Sequence, residues 1–69
     1  PDIPTIGAHT ETGRLLQAKG QFLEARTHFI NALRDAETIA PDAIEVAICL
    51  DDLGTIHEDL GQFHDAEQA

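Results

Sequence analysis

Apolar residues recur at steps of three and four along most of the chain. Between residues 22 and 39 they fall at Phe22, Ala25, Phe29, Ala32, Leu33, Ala36 and Ile39. The same rhythm continues later at Val46, Leu50, Leu53, His57 and Leu60. Because an α-helix turns once every 3.6 residues, this spacing places the apolar side chains on one face of each helix. No alternation of apolar and polar residues persists, so the pattern predicts an all-α protein.

Glycine residues divide this pattern into shorter helical segments. We expect helices near residues 5–18, 21–39 and 43–59, and a further helix that starts at Gln62. Gly20 and Gly61 each follow a helical run, at a position where a left-handed backbone is favourable for glycine. They therefore predict turns at Lys19–Gly20 and at Leu60–Gly61.

A third break falls in the middle of the chain. Pro41 cannot continue a helix because it lacks a backbone N–H. Asp42, with Glu45 three residues later, resembles a capping box in which aspartate replaces serine or threonine. This pair predicts the start of the next helix.

Two short segments share a Gly-Gln-Phe step that is followed by an acid and an alanine. KGQFLEA covers residues 19–25 and LGQFHDA covers residues 60–66, so the step recurs after 41 residues. The same offset aligns Gly13 with Gly54, Leu15 with Ile56, Glu11 with Asp52 and Glu24 with Asp65. A fixed period of this size is typical of stacked helical repeats.

Two of the aligned glycines, Gly13 and Gly54, fall inside predicted helices. Glycine there costs up to about 1 kcal/mol relative to alanine. Their recurrence indicates that a partner helix approaches closely at each position, with Ala25 and Ala66 as the small facing residues. We expect the phenylalanine just past each turn to fill the space between the two helices: Phe22 and Phe63.

The order Gly-x6-Gly-x-Phe-x-x-Ala, followed by Phe29, Ala32 and Leu33, resembles the tetratricopeptide repeat (TPR) family. The second copy supplies Leu50, Leu53, Gly54, Gly61, Phe63 and Ala66. The 41-residue period is longer than the usual ~34 and is similar to the kinesin-light-chain-like subtype, which has a longer second helix and a Pro-Asp step. His9 and Thr12 stand where the family prefers large apolar residues, so we expect an irregular first helix.

The resemblance implies a single unit over residues 1–69, an α-solenoid fragment of antiparallel helical hairpins. It has about one and a half repeats: repeat one spans about 5–40 and a partial repeat two spans about 42–69. We expect a fragment of a longer repeat protein.

The same resemblance implies a concave groove, lined by the first helices of successive repeats, that binds an extended or helical peptide. By alignment its residues are Thr10, Glu11, Arg14, Gln17, Asp51, Asp52, Thr55, Glu58 and Asp59. Asp51 and Asp52 fall where the subtype often carries an asparagine pair. Because carboxylates only accept hydrogen bonds, this groove favours lysine, arginine or a free amine. The alternative is that these acids form an ordinary solvated helix face.

The net charge of −9 is unevenly distributed along the chain. Residues 1–34 carry a charge of +1, and residues 35–69 carry −10 without a single lysine or arginine. This charge argues against nucleic acid and anionic membranes as partners. The longest apolar stretch, residues 43–50, is interrupted by Glu45 and is too short to span a bilayer. We expect a cytoplasmic protein whose partner is a protein or peptide, basic in character.

Residues that could carry chemistry do not form a recognisable site. His57 and His64 flank the second predicted turn on different helices, and His57 occupies a packing position between helices, so we expect no metal site. Cys49 lies in an apolar run with acidic surroundings that raise a thiol pKa, which favours a buried structural cysteine. There is no phosphate loop and no nucleophile elbow. We therefore expect neither an enzyme nor a cofactor.

Three functional hypotheses remain at this point. The first is a protein- or peptide-binding scaffold with an acidic groove. The second is a structural self-assembly segment, completed by another copy of the chain or by further repeats, because Phe29, Leu33 and Phe63 need a surface to pack on. The third is a sensor segment attached to a regulator or an ATPase, and it rests on fold analogy alone.

Overall fold

The computed structural model describes residues 2–39, 41 and 44–68, and it consists of three α-helices. They are α1 (Ile3–Ala18), α2 (Phe22–Ile39) and α3 (Ile44–Gln68). A short turn joins α1 to α2 as a helical hairpin, and α2 packs against both α1 and α3. No strand occurs in the described part of the chain, so the all-α hairpin prediction is confirmed.

The first helix starts two residues before the predicted boundary because Asp2 caps it. The Asp2 carboxylate accepts hydrogen bonds from the backbone N–H of Thr5 at 2.8 Å and from its hydroxyl at 2.6 Å. These bonds, led by the one from the hydroxyl, lower the pKa of Asp2. Pro4 lies in the first turn, where its missing N–H is not needed. The helix is continuous through His9 and Thr12, so the expected irregularity is wrong.

The turn at Lys19–Gly20 is confirmed. Gly20 has a φ of +79°, in the left-handed region that favours glycine. Its N–H donates to the carbonyl of Gln17 at 3.0 Å, and the N–H of Gln21 donates to the carbonyl of Leu16 at 2.9 Å. This pair of bonds is a Schellman motif, which satisfies the last carbonyls of α1.

The predicted turn at Leu60–Gly61 is wrong. The helix α3 runs through Gly61 to Gln68 without a break, and Gly20 is the only described glycine with a positive φ. Glycine permits a left-handed turn but does not impose one, whereas each residue added to an existing helix gains a backbone hydrogen bond. The separate helix predicted from Gln62 is therefore the last part of α3.

The capping box predicted before α3 is only partly covered by the described residues. The helix begins at Ile44, and Pro41 lies in the preceding turn as predicted. Asp42 lies outside the described residues, so the capping box with Glu45 stays a prediction.

Two small apolar clusters hold the three helices together, and each draws residues from all of them. The first contains Ile6, Ala32, Ala36 and Cys49, with Leu33 and Val46 packed against it. The second contains Ala25, Phe29 and Ile56, with Leu16, Phe22 and Leu53 packed against it. The helix α2 contributes buried residues to both clusters and packs against α1 on one side and α3 on the other. It is therefore the central element of the fold. Phe22 packs against the second cluster, and its predicted place between α1 and α2 stays a prediction. The side chain of Phe63 lies outside the described residues.

The two glycines of the repeat have different surroundings. A Cβ atom placed on Gly13 would lie 2.5 Å from Cε1 of Phe29, so the aromatic ring packs directly on the α1 backbone. The residue over Gly13 is thus Phe29 rather than the predicted Ala25. A Cβ placed on Gly54 would meet nothing within 4 Å, and Gly54 is exposed. The close approach predicted for both copies is therefore present only at Gly13 in the described part of the chain.

None of the described helices combines the length and the apolar character needed to cross a membrane.

We predict opposite effects for alanine at the two repeat glycines. Gly13→Ala should lower the free energy of unfolding by about 1–3 kcal/mol, because Phe29 is fully buried and cannot move away from the added methyl group. Gly54→Ala should raise it by up to about 1 kcal/mol, because alanine favours the helix and meets open space. Urea denaturation followed by circular dichroism measures both. Equal effects of the two substitutions would contradict the Phe29 contact.

Candidate functional site

The helices α1 and α3 lie side by side, and two polar contacts join them. Arg14 donates through Nη2 to Oδ2 of Asp52 at 3.1 Å, as an ion pair. Gln17 donates through Nε2 to Oδ2 of Asp59 at 2.7 Å. These four residues belong to the predicted groove, and they bring its two helices together.

The remaining predicted groove residues differ in their accessibility. Glu11, Asp51, Thr55 and Glu58 are exposed. The hydroxyl of Thr55 donates to the carbonyl of Asp51 within α3 at 3.1 Å. The carboxylates of Glu11, Asp51 and Glu58 have no ion-pair partner among the described residues. They are the acids of this face that remain available for a ligand.

Thr10 lies beneath the face rather than on it. It is only 9 % exposed, and its hydroxyl donates to the carbonyl of Gly7 at 2.9 Å. Its role as a groove residue stays a prediction, as do the roles of the other predicted groove residues.

A shallow cleft opens between the first half of α1 and the start of α3. Its volume is about 220 Å³, and its lining is Ile6, Gly7, Thr10, Arg14, Glu45, Ile48 and Cys49. Pockets for drug-sized molecules usually enclose about 300–1,000 Å³. The cleft therefore has the size of a side-chain pocket rather than a substrate site.

Cys49 lies at the base of this cleft as a fully buried free thiol. Burial raises the pKa of Cys49, the nearby Asp52 carboxylate raises it further, and Arg14 acts in the opposite direction. A thiol that is buried and protonated is a poor nucleophile. The prediction that Cys49 is a buried free cysteine is confirmed.

The histidines near the second repeat step lie differently from the prediction. His57 and His64 are both on α3, and both are exposed. The prediction that His57 packs between helices is wrong, because this side of α3 is turned away from α1 and α2. Among the described residues, no group of three or more histidine, cysteine, aspartate or glutamate side chains could hold a metal ion.

The sequence interpretation missed a second histidine pair. His9 on α1 and His28 on α2 are half-buried, and their Nδ1 atoms lie 3.3 Å apart. The two residues are 19 positions apart in the chain, so no local motif identifies them. Only the register of the α1–α2 hairpin brings their side chains together.

The Cys49 thiol should make stability depend on pH in the alkaline range. A pKa raised by folding means that the folded state holds this proton more tightly than the unfolded chain. Its contribution is complete below the unfolded thiol pKa of about 8.5 and is lost as the pH rises toward the folded pKa. Urea denaturation at pH 7, 9 and 10 should show a steeper loss of stability for the native chain than for Cys49→Ala. Parallel losses in both proteins would contradict a raised pKa.

The Arg14–Asp52 pair should contribute modestly to stability. Because the Arg14 side chain is 56 % exposed, we expect Arg14→Ala to cost no more than about 1 kcal/mol. The cost should shrink in 1 M NaCl, since salt screens exposed charges. Arg34→Ala, which removes an exposed arginine of α2, is the matched control and should have almost no effect. A salt-independent cost would indicate lost packing by the arginine stem instead.

Comparison with known proteins adds one finding to this geometry. The family model described as tetratricopeptide repeat matches residues 5–69. No curated protein and no solved structure matches the chain. The matched segment covers most of the sequence and contains the Schellman turn, the helical hairpin and the third helix packed upon it. The chain therefore belongs to the tetratricopeptide repeat family.

Proposed function

We propose that this chain is a protein-binding scaffold module that accepts a basic peptide segment on its α1–α3 face. TPR repeats generally act as non-enzymatic scaffolds that mediate protein–protein interaction, and the family membership supports this general function. The observation that carries the proposal is the pairing of α1 with α3 through Arg14–Asp52 and Gln17–Asp59. This pairing holds two helices of successive repeats in a fixed relation, as a binding face requires.

The chemistry of the partner follows from the carboxylates of this face that take no part in the α1–α3 contacts. Asp52 and Asp59 already accept hydrogen bonds from α1, so they contribute less to a ligand than the sequence alone implies. Glu11, Asp51 and Glu58 remain exposed along the same face. Three carboxylates without a cationic partner in the described part of the chain favour lysine, arginine or a free amine. The chain's net charge of −9 adds long-range attraction for such a segment.

The small cleft beside Cys49 gives the same face a place for one apolar side chain. Its lining combines Ile6 and Ile48 with the charged groups of Arg14 and Glu45. A peptide that carries a small aliphatic residue near its basic residue would place the aliphatic side chain in this cleft, whose charged lining is one cation, Arg14, and one carboxylate, Glu45.

We further propose the kinesin-light-chain-like subtype, with repeat one over about 5–40 and a partial repeat two over about 42–69. The 41-residue period and the Pro41 step support this assignment. The 18-residue length of α2, which ends at Ile39, is consistent with the longer second helix of this subtype.

Self-assembly is the second candidate function, and one observation favours it. A groove of about 380 Å³ lies between the start of α2 and the second half of α3, lined by Gly20, Gln21, Phe22, Leu23, Glu24, Leu60 and His64. Leu23 at its edge is 62 % exposed. Light scattering over a concentration series separates the two functions, because a scaffold monomer keeps its mass while an assembly segment gains mass with concentration.

Selection from a random peptide display library tests the basic-partner proposal. We expect the selected peptides to be enriched in lysine and arginine. Glu58→Gln should weaken their binding about two- to fivefold, the range expected for one exposed charge pair. Adding Asp51→Asn should weaken it further by a similar factor, since both carboxylates are exposed on α3.

The matched control is Glu37→Gln, which removes one exposed carboxylate from α2 and leaves the α1–α3 face intact. It should change peptide affinity by less than Glu58→Gln does. Peptides without a basic bias, or equal effects of the two substitutions, would overturn the acidic face as the binding site.

A further inference from the structure

The side chains of His9 and His28 join α1 to α2 through their imidazole rings, and both are half-buried. Their Nδ1 atoms lie 3.3 Å apart, within hydrogen-bond distance. The ring centroids lie 5.6 Å apart, and the radii of the two rings account for the difference between these distances. Each ring therefore points its Nδ1 almost straight at the other ring. This alignment is that of an N–H···N hydrogen bond between the two helices.

The bond needs one proton and one lone pair at the two Nδ1 atoms. A neutral imidazole carries a proton on one ring nitrogen and a lone pair on the other, so two neutral rings form the bond when they adopt opposite tautomers. One charged ring beside one neutral ring also forms it, and the charge strengthens the bond. When both rings are charged, both Nδ1 atoms carry protons and no acceptor remains. The bond therefore survives the first added proton and is lost with the second.

The loss of this bond has a consequence for the hairpin. Histidine is the side chain that ordinarily changes its charge between pH 5 and 8, so mild acid can charge both rings. Two like charges then lie close together where α1 packs on α2, and they repel each other. We propose that the His9–His28 bond is an acid-sensitive latch, which holds α1 on α2 at neutral pH and weakens this hairpin when both rings are charged. The latch is independent of the peptide-binding face.

The acidic groups near the pair do not neutralise it by direct contact. On α2, Glu24 lies one turn before His28 and Asp35 lies two turns after it, on the same side of the helix. On α1, Asp2 lies two turns before His9, and the positions one turn from His9 carry no charge. Within the described part of the chain, neither these three carboxylates nor any of α3 forms an ion pair with either ring. The second positive charge is therefore not offset by a contacting carboxylate.

The direction of the pH effect follows from the number of protons that each state binds. In the unfolded chain the two rings are separated, so each can be charged without repelling the other. In acid the unfolded chain therefore holds more protons than the folded chain, and stability falls as the pH falls. Because one proton leaves the bond intact, the loss belongs to the acid end of the histidine range, where both rings become charged.

Urea denaturation at pH 7.5 and pH 5 tests the latch. Acid should raise the unfolding equilibrium constant of the native chain by a factor about three- to tenfold larger than the factor in His9→Gln/His28→Gln, as expected for the loss of one hydrogen bond. Glutamine donates and accepts at any pH, so this variant keeps a polar pair and loses only the response to acid. The matched control, His57→Gln/His64→Gln, removes two exposed histidines and should respond to acid like the native chain.

A measurement on the native chain guards against a variant that does not fold. Nitrogen NMR of the imidazole rings at pH 7.5 should show opposite tautomers for His9 and His28, with one proton between the two Nδ1 atoms. Rings that both carry their proton on Nε2 would overturn the proposal, because no proton would then join them. An equal acid response in the native chain and in His9→Gln/His28→Gln would also overturn it. The same holds for a response that disappears in His57→Gln/His64→Gln.

Discussion

The contact of the Phe29 ring with the backbone at Gly13 determines how the three helices sit together. Because Gly13 has no side chain, the ring of Phe29 reaches the α1 backbone and α2 packs closely on α1. The same ring belongs to the cluster that contains Ile56 of α3, so one side chain sets the position of both neighbours of α2. Because α1 and α3 pack on the same central helix, Nη2 of Arg14 comes to lie 3.1 Å from Oδ2 of Asp52. The polar face thus depends on an apolar contact that lies behind it.

Much of the fold could be predicted because it depends on local chemistry. The apolar period identifies α2 and the first part of α3, and Gly20 forms its turn because the chain on both sides packs into a hairpin. Gly61 shows the limit of that reasoning. It occurs in the same Gly-Gln-Phe step as Gly20, yet it lies inside a continuous helix. A glycine only permits the left-handed conformation, so contacts beyond the motif decide whether the turn forms.

The candidate site was predictable in part for a related reason. Alignment by the repeat placed Arg14, Asp52, Gln17 and Asp59 near one another, but it could not say that they bond in pairs and leave Glu11, Asp51 and Glu58 exposed. His57 was assigned to a packing position because it continues the apolar period, and Leu50 in the same series is 54 % exposed. The period identifies a helix face, but neighbouring helices decide whether that face is covered. His9 and His28 had no local signal, since their contact depends on the hairpin register.

The polar α1–α3 face and the His9–His28 contact lie on different sides of α1, so each of them positions this helix against a different neighbour. His9 and Arg14 are five residues apart, which corresponds to about 140° around the helix axis. Arg14 faces α3, whereas His9 faces α2. The His9–His28 contact therefore leaves the acidic face uncovered. The contact still acts on that face indirectly, because it restrains α1 against α2, and the position of α1 determines the distance between Nη2 of Arg14 and Oδ2 of Asp52. The hairpin contact and the polar face are thus connected through the position of one helix, without a shared residue.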